Sequence, residues 1–162
     1  MVLIPEWLEA KCAEAVGGVR CGPSDAALMR SLVSGTLMME LSELCLRLPL
    51  QGTTWSHPEV FGGSPAEDDT LEMRVMRARD MEAEARQHRP GEIVCGYGLL
   101  PLGECLLGTG DPYFLTPATT LSESWVVSVP HDVSLEDWEE RIEEVATFYE
   151  FFRIAICAKA RG

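Results

Sequence analysis

The stretch LLPLGECLLGTGDPYFL, residues 99–115, decides the fold because it sets short apolar runs between residues that bend the backbone. Gly103, Gly108-Thr109-Gly110 and Asp111-Pro112 are turn signals. The apolar runs between them, 99–102, 105–107 and 113–115, have the length and composition of short strands. The stretch therefore predicts three strands joined by tight turns, which is an antiparallel meander.

The segments on either side predict helices on the N-terminal side and one more strand after the meander. Pro5 is suited to the first turn of a helix that Gly17-Gly18 ends, and Ser24 is suited to cap a second helix that ends at Gly35. Residues 36–50 alternate like a strand but also place leucines on one helical face; their Met, Glu, Leu and Arg content favours a helix. Residues 124–129 are rich in β-branched side chains and predict a strand.

The middle of the chain predicts a loop and then a helix. Residues 51–65 are rich in Gly, Pro, Ser and Thr and carry the rings of Trp55, His57 and Phe61, which suits a loop anchored to the core or to a partner. Acidic residues 67–69 then favour the start of a helix that ends at Arg89-Pro90-Gly91, with arginines pairing with acids along it; a phosphate-binding patch is the alternative for these arginines. The predicted apolar stripe of this helix is Leu71, Val75, Ala78, Met81 and Ala85.

The C-terminal part predicts one long helix that begins near Ser134, where Ser134 to Asp137 resembles a capping box. Its apolar stripe is Trp138, Ile142, Val145, Tyr149, Phe152 and Ile156. The predicted fold is thus α+β: a small antiparallel or mixed sheet in the C-terminal half, packed with N-terminal helices and a long C-terminal helix. At 162 residues, we expect a single domain over 1–162.

Three segments of the C-terminal half, taken in order, resemble the SUKH superfamily. They are Leu-Pro-Leu-Gly (100–103) followed by Gly-Asp-x-Tyr-Phe-Leu (110–115), the strand 125–129 leading to His131-Asp132, and the aromatic segment 148–152. The resemblance covers about residues 90–155 and, less closely, 23–35; it departs from the family at Thr116-Pro117, where an acidic residue is often found. The fold-signature residues that it implies are Gly103, Gly110, Asp111, Tyr113, Phe114, Trp125, His131, Phe148 and Phe152.

The superfamily includes a fungal cell-wall-synthesis regulator and many bacterial immunity proteins that neutralise toxins, often nucleases. The resemblance implies a non-enzymatic immunity protein, without a cofactor, that binds and neutralises a cognate bacterial toxin. The alternative that it implies is an intracellular regulatory or scaffold module of the same fold that binds other proteins.

The charge of the chain limits the partners that it can attract. With 26 acidic and 13 basic residues, the net charge is −13, which argues against binding to nucleic acid or to an anionic membrane. A basic protein partner, such as a nuclease-type toxin, is compatible with this charge. The alternative is that the acidity only keeps the protein soluble.

The cysteines and the apolar runs predict a cytoplasmic protein. The six cysteines form no C-x-x-C pair and mostly lie in apolar runs, which is typical of core thiols in a reducing compartment. The N-terminal residues lack the basic leader of a secretory signal. Residues 93–103, a long uncharged run, fall well short of the roughly 20 residues of a membrane span.

Candidate catalytic groups are few. Asp111 and the pair His131-Asp132 lie at predicted strand ends and are the best acid/base candidates, although Asp before Pro is also ordinary turn chemistry. Cys95 or Cys105 is a candidate thiol partner for His131, with buried structural thiols as the alternative. The three histidines have no ligand-like spacing, so we predict neither a metal site nor an enzyme.

An acidic run, residues 136–144, is the candidate partner-binding site. Six of its nine residues are Asp or Glu. If Trp138, Ile142 and Val145 face the core of a helix, the side chains of Glu136, Glu139, Glu140 and Glu143 project outward. This ridge is either a solvated helix face or an electrostatic docking site for a basic protein.

Overall fold

The computed structural model describes residues 2–58, 70–107 and 110–159, and within them it has seven helices and seven strands. The predicted α+β class is confirmed. The helices are α1 Glu6–Glu14, α2 Pro23–Leu32, α3 Thr36–Arg47, α4 Ala78–Gln87, α5 Gly91–Val94, α6 Trp138–Arg141 and α7 Phe148–Ile154. The strands are β1 Thr54–Pro58, β2 Thr70–Val75, β3 Leu100–Cys105, β4 Tyr113–Leu115, β5 Trp125–Ser128, β6 Glu143–Thr147 and β7 Ile156–Cys157.

All seven strands form one antiparallel sheet. Its order is β6-β5-β4-β3-β2-β1-β7, so the first six strands follow one another as a meander and β7 returns to pair with β1. The sheet therefore begins at Thr54, in the first half of the chain, and is larger than the small C-terminal sheet that the sequence predicts. Its two edges are β6 and β7.

The stretch 99–115 contributes two strands to this sheet, and the prediction of three is wrong. Gly103 lies inside β3, opposite Tyr113 of β4, and Cys105 belongs to the end of the same strand. A Cβ on Gly103 would overlap the Cγ of Met73 and lie 3.1 Å from the carbonyl oxygen of Arg74. The glycine thus permits close packing of β3 on β2 and does not mark a turn. Gly108 and Thr109 lie outside the described residues.

The loop predicted at 51–65 is wrong, because residues 54–58 form β1 between β2 and β7. Trp55 and His57 are buried in the core, and the indole Nε1 of Trp55 donates to the Oγ1 of Thr53 at 2.7 Å. Their anchoring role is therefore confirmed. Phe61 lies outside the described residues.

The helix predicted from 67 to 89 is also wrong in its first part. Residues 70–75 form β2, and the helix α4 begins only at Ala78; the acids at 67–69 lie outside the described residues. Arg74 accordingly pairs with Glu104 across the strands, whereas Arg86 pairs with Glu82 at 2.8 Å within α4, as predicted. Pairing of β2 with β1 and β3 overrides the helical spacing of its apolar residues.

The prediction of one long C-terminal helix is wrong as well. Residues 138–157 divide into α6, β6, α7 and β7, and Ile156, assigned to the apolar stripe, is 72% exposed. Within this segment, strand β6 pairs with β5, from Ser128↔Glu143 to Trp125↔Thr147. The backbone bonds of this pairing replace those that the helix would have made.

The three N-terminal helices are confirmed, but the cap predicted at Ser24 is wrong, because helix α2 begins at Pro23 with Gly22 as its N-cap. The first two helices are α1 and α2, and the ambiguous segment 36–50 contains helix α3, whose Leu37, Leu41 and Leu44 are buried. The strand predicted at 124–129 is β5. These segments are settled by local signals, namely proline and glycine at their ends and strong side-chain periodicity.

Two hydrophobic cores lie on opposite faces of the central strands. Leu100, Leu115 and Val126 belong to the larger core, which they share with the helices α1 to α4 and α7. The alternate positions Phe114 and Val127 belong to the smaller core, as the period of two in a strand requires. The other buried members of the smaller core are Val94, Leu99, Val129, Val133 and Trp138. No helix in the described part of the chain is long and apolar enough to cross a membrane.

Candidate interaction surface

The four acids predicted to bind a partner do not share one helix. Glu136 lies in the turn before α6, Glu139 and Glu140 lie on α6, and Glu143 lies on the edge strand β6. All four are exposed, and so is Glu144 beside them. We call these five residues, Glu136, Glu139, Glu140, Glu143 and Glu144, the acidic surface.

Trp138 fixes the orientation of this surface. Its side chain is only 7% exposed and packs in the smaller core, with its ring 5.2 Å from that of Tyr97 between centroids. Because Trp138 faces inward, Glu139 and Glu140 on the same short helix face the solvent. The inward direction of Trp138 agrees with the sequence prediction, although the helix that carries it has only four residues.

Two aspartates, Asp137 and Asp132, accept hydrogen bonds that hold the residues on either side of Trp138 in place. The Oδ1 of Asp137 accepts from the backbone N–H of Ser134 at 2.7 Å and from its hydroxyl at 3.0 Å. The backbone bond from Ser134 lowers the pKa of Asp137. Arg141 donates to Asp132 at 2.7 Å and lies 3.7 Å from Asp137.

The basic residue of this region is therefore already neutralised. Arg141 pairs with Asp132 and Asp137, which are outside the acidic surface. Among the described residues, no ion pair involves any of the five glutamates of the acidic surface. Five uncompensated carboxylates on α6, its preceding turn and β6 produce a local negative potential.

The acid/base candidates Asp111 and His131 come together in the structure. Asp111 Oδ1 lies 2.7 Å from the His131 Nδ1 and accepts from the His131 backbone N–H at 3.0 Å. The hydrogen bond with Asp111, and then its charge, raise the pKa of His131. Asp132 turns instead to Arg141, so the predicted neighbour of His131 in sequence is not its partner in space.

This Asp111–His131 pair joins the residues before β4 to those after β5. The His131 side chain is 63% exposed, so water surrounds most of the imidazole. The Asp111 carboxylate is only 17% exposed, so the pair joins a largely shielded acceptor to a solvent-facing imidazole and holds two strand ends together.

The cysteines paired with His131 in the sequence prediction differ in environment. Burial raises the pKa of the Cys95 thiol to about 12, which keeps it protonated and unreactive. Cys105 and His131 line the same cleft of about 370 Å³, together with His88 and Glu84. The Cys105 thiol, however, donates to the carbonyl oxygen of Leu107 at 2.6 Å. Among the described residues, no group of three or more His, Cys, Asp or Glu side chains is arranged to hold a metal ion.

The remaining fold-signature residues serve packing. Tyr113, Phe114, Phe148 and Phe152 are buried, and Gly103 lies against Met73. Gly110 adopts a φ of +76°, which is easily reached only by glycine. Trp125 is the exception: it lies on β5 next to the edge strand and is 39% exposed.

Two features of the surface are not predicted by the sequence. Glu144 joins the other acids because the segment is a strand and not a helix, and β6 is an edge of the sheet. A signal for the strand is present in the alternation of Val145 and Thr147 with smaller or charged residues, but the helical period over 138–156 is stronger.

No family model, no curated protein and no solved structure matches this chain.

Proposed function

We propose that this chain is a non-enzymatic immunity protein that binds and neutralises a cognate bacterial toxin in the cytoplasm. The partner is a basic protein, and a nuclease-type toxin has the required chemistry, because nucleases carry positive charge where they bind phosphates. The class of partner comes from the resemblance of residues 90–155 to the SUKH superfamily.

The observation that carries the proposal is the uncompensated acidic surface. Its five glutamates lie on a segment that Trp138 and Asp137 hold in place, so the carboxylates are presented without a large ordering cost. Opposite charge on the partner accelerates the diffusional encounter and favours the correct orientation. Occupation of the basic, phosphate-binding face of a nuclease would then exclude its substrate.

The proposal is tested by surface plasmon resonance with the protein encoded by the reading frame adjacent to this gene, which we expect to be a toxin with a basic domain. The variant is Glu139→Lys, Glu140→Lys and Glu143→Lys together. We expect its association rate constant to fall by about tenfold or more at low salt, and the salt dependence of that rate to flatten.

The matched control is Glu6→Lys, Glu9→Lys and Asp25→Lys, which changes the net charge equally on α1 and α2, away from the acidic surface. Circular dichroism checks that both variants fold. An equal loss in both triples would assign the effect to net charge, and unchanged kinetics in the first triple would refute the acidic surface. Growth during co-expression with the toxin gives the functional readout: failure of the wild-type chain to protect would refute the immunity role.

A further inference from the structure

The two edges of the sheet are protected to different degrees. β7 has only two residues, and the chain beyond it is covered: the N–H of Val16 donates to the carbonyl of Ala158 at 2.9 Å, and Ala15 forms a bridge with Lys159. β6 has five residues and pairs with β5 on one side. Within the described residues, no backbone hydrogen bond reaches β6 from any other element. In this part of the chain its outer side is thus an unpaired edge, which is a template for an added strand.

The pairing of β6 with β5 shows in which direction the backbone N–H groups at the C-terminal end of β6 point. The N–H of Phe148 donates to the carbonyl of Ser124 at 2.8 Å, so it points toward β5. Successive N–H groups of an extended chain point to opposite sides, and the N–H of Thr147 therefore points outward. A bulge at Val145, between Val126↔Ala146 and Val127↔Glu144, shortens the regular part of the edge. Backbone bonds alone are therefore few, and side chains must select the partner.

The side chains at this edge favour a cationic partner. Glu143 and Glu144 are exposed on β6, and neither takes part in an ion pair within the described part of the chain. Trp125, one strand inward and directly opposite Thr147, is 39% exposed. Glu144 pairs with Val127, which shares a face of the sheet with Trp125, whereas Glu143 pairs with Ser128 and lies on the other face. A lysine or arginine on an added strand can therefore reach Glu144 and the face of this indole on one side, and a second one can reach Glu143 on the other. A second copy of this chain would instead bring more carboxylates to the edge.

We propose that β6 accepts an extended, lysine- or arginine-rich segment of the partner as an eighth strand of the sheet. This inference rests on the proposed function, since it assigns the way in which the basic partner engages the acidic surface. Backbone hydrogen bonds to the Thr147 end of β6 set the register of the added strand. Glu143, Glu144 and Trp125 give the preference for a positively charged segment.

Thr147→Pro tests the strand addition directly. Thr147 has a φ of −64°, which proline adopts without strain, so the substitution removes the outward N–H and leaves the bonds to β5 in place. The probe is a labelled, capped peptide of alternating lysine and threonine, followed by fluorescence anisotropy at low salt. We expect Thr147→Pro to weaken binding by about tenfold or more, and the control Thr147→Val, which keeps the N–H, to bind within about twofold of wild type. A peptide of equal charge with proline at alternate positions should bind as poorly to wild type as the first peptide binds to Thr147→Pro.

The outcomes separate this inference from the proposed function. Equal binding of the peptide by Thr147→Pro and wild type, or equal binding of the proline-containing peptide, refutes strand addition. Failure of the wild type to bind the lysine–threonine peptide refutes it as well. If the toxin still binds Thr147→Pro normally but loses the triple lysine variant, the acidic surface stands and the added strand does not. If the toxin binds both Thr147→Pro and the triple lysine variant as tightly as it binds the wild type, the proposed function fails too.

Discussion

Gly103 occupies a position on β3 that has no space for a side chain. A Cβ there would lie 2.5 Å from the Sδ of Met73 and 3.1 Å from the carbonyl oxygen of Arg74. Met73 is itself fully buried, so its side chain cannot swing into solvent to make room. Steric demand at one atom thus sets the spacing between two central strands.

The substitution Gly103→Ala should lower the free energy of unfolding by about 1–3 kcal/mol, as overpacked cores generally do. Urea unfolding followed by circular dichroism measures the change. The control is Gly96→Ala, because an added Cβ at Gly96 meets nothing within 4 Å. Similar free energies of unfolding for the two variants would contradict the prediction, because they would show that β2 and β3 can move apart to accept the Cβ without losing stability.

His131 gives the fold a pH dependence with a definite sign. Its pKa is raised in the folded protein, first by the hydrogen bond with Asp111, so the folded state binds the proton more tightly than the unfolded state. The stabilisation is fully present below the unfolded pKa, about 6.5, and is lost as the pH rises through the folded value.

We expect the imidazole of His131 to titrate above about 6.5 in an NMR experiment, and Asp111→Asn to return its midpoint toward that value. Asp132→Asn is the matched control, because Asp132 acts on His131 only as a more distant charge. A midpoint that responds more to Asp132→Asn than to Asp111→Asn would contradict the assigned pair.

His57 has the opposite behaviour. It is buried, its ring stacks on Phe151 at 4.8 Å, and its Nε2 has no hydrogen-bond partner among the described residues. Burial lowers the pKa of His57, so its contribution to stability is present above about 6.5 and is lost as the pH falls through the folded value. The two histidines therefore oppose each other across the neutral range.

At the scale of elements, the short helix α7 is the main link between the edge strands and the larger core. Phe148, Phe151 and Phe152 on this helix are completely buried, and Phe152 contacts the ring of Trp55 at 5.0 Å. Ile154, by contrast, is 48% exposed. The buried face of α7 is thus set by three phenylalanines, of which the sequence stripe includes only Phe152.

Phe151→Ala should therefore lower the free energy of unfolding by about 3–5 kcal/mol, the usual cost of truncating a buried aromatic residue. Ile154→Ala, on the same helix, should change it by less than about 0.5 kcal/mol. Chemical denaturation of both variants checks the difference. A large effect of Ile154→Ala with a small effect of Phe151→Ala would reverse the assigned buried face.

For the whole molecule, net charge and its uneven distribution set the response to salt. The chain carries −13, and among the described residues none of the five glutamates of the acidic surface forms an ion pair that would offset their repulsion. Self-repulsion of this kind destabilises the compact state, and salt screens it.

We expect the urea midpoint of the free protein to rise between about 0.01 M and about 0.3 M sodium chloride, over which the screening length falls from roughly 30 Å to below 10 Å. The triple variant Glu139→Lys, Glu140→Lys and Glu143→Lys should show a smaller rise. A salt response that is the same in both proteins would locate the repulsion elsewhere on the surface.

The sequence by itself determines the α+β class, the helices α1 to α3, the strands β4 and β5, and the presence of an acidic run near Trp138. Each follows from local signals: turn residues, helix ends and side-chain periodicity act over a few neighbouring residues. The partners of Asp111 and the closeness of β2 to Gly103 depend on residues distant in sequence, so no local signal contains them.

Only the tertiary structure decides that residues 54–58, 70–75 and 143–147 are strands. Their local composition suits a loop or a helix, but a strand gains its hydrogen bonds from another part of the chain, and that gain exceeds a preference of a few tenths of a kcal/mol per residue. The same pairing decides that Glu143 and Glu144 lie on β6, an edge strand of the sheet that the described residues form. A strand edge exists only in relation to its neighbours, and for this physical reason the sequence reveals the charge of the surface but not its form.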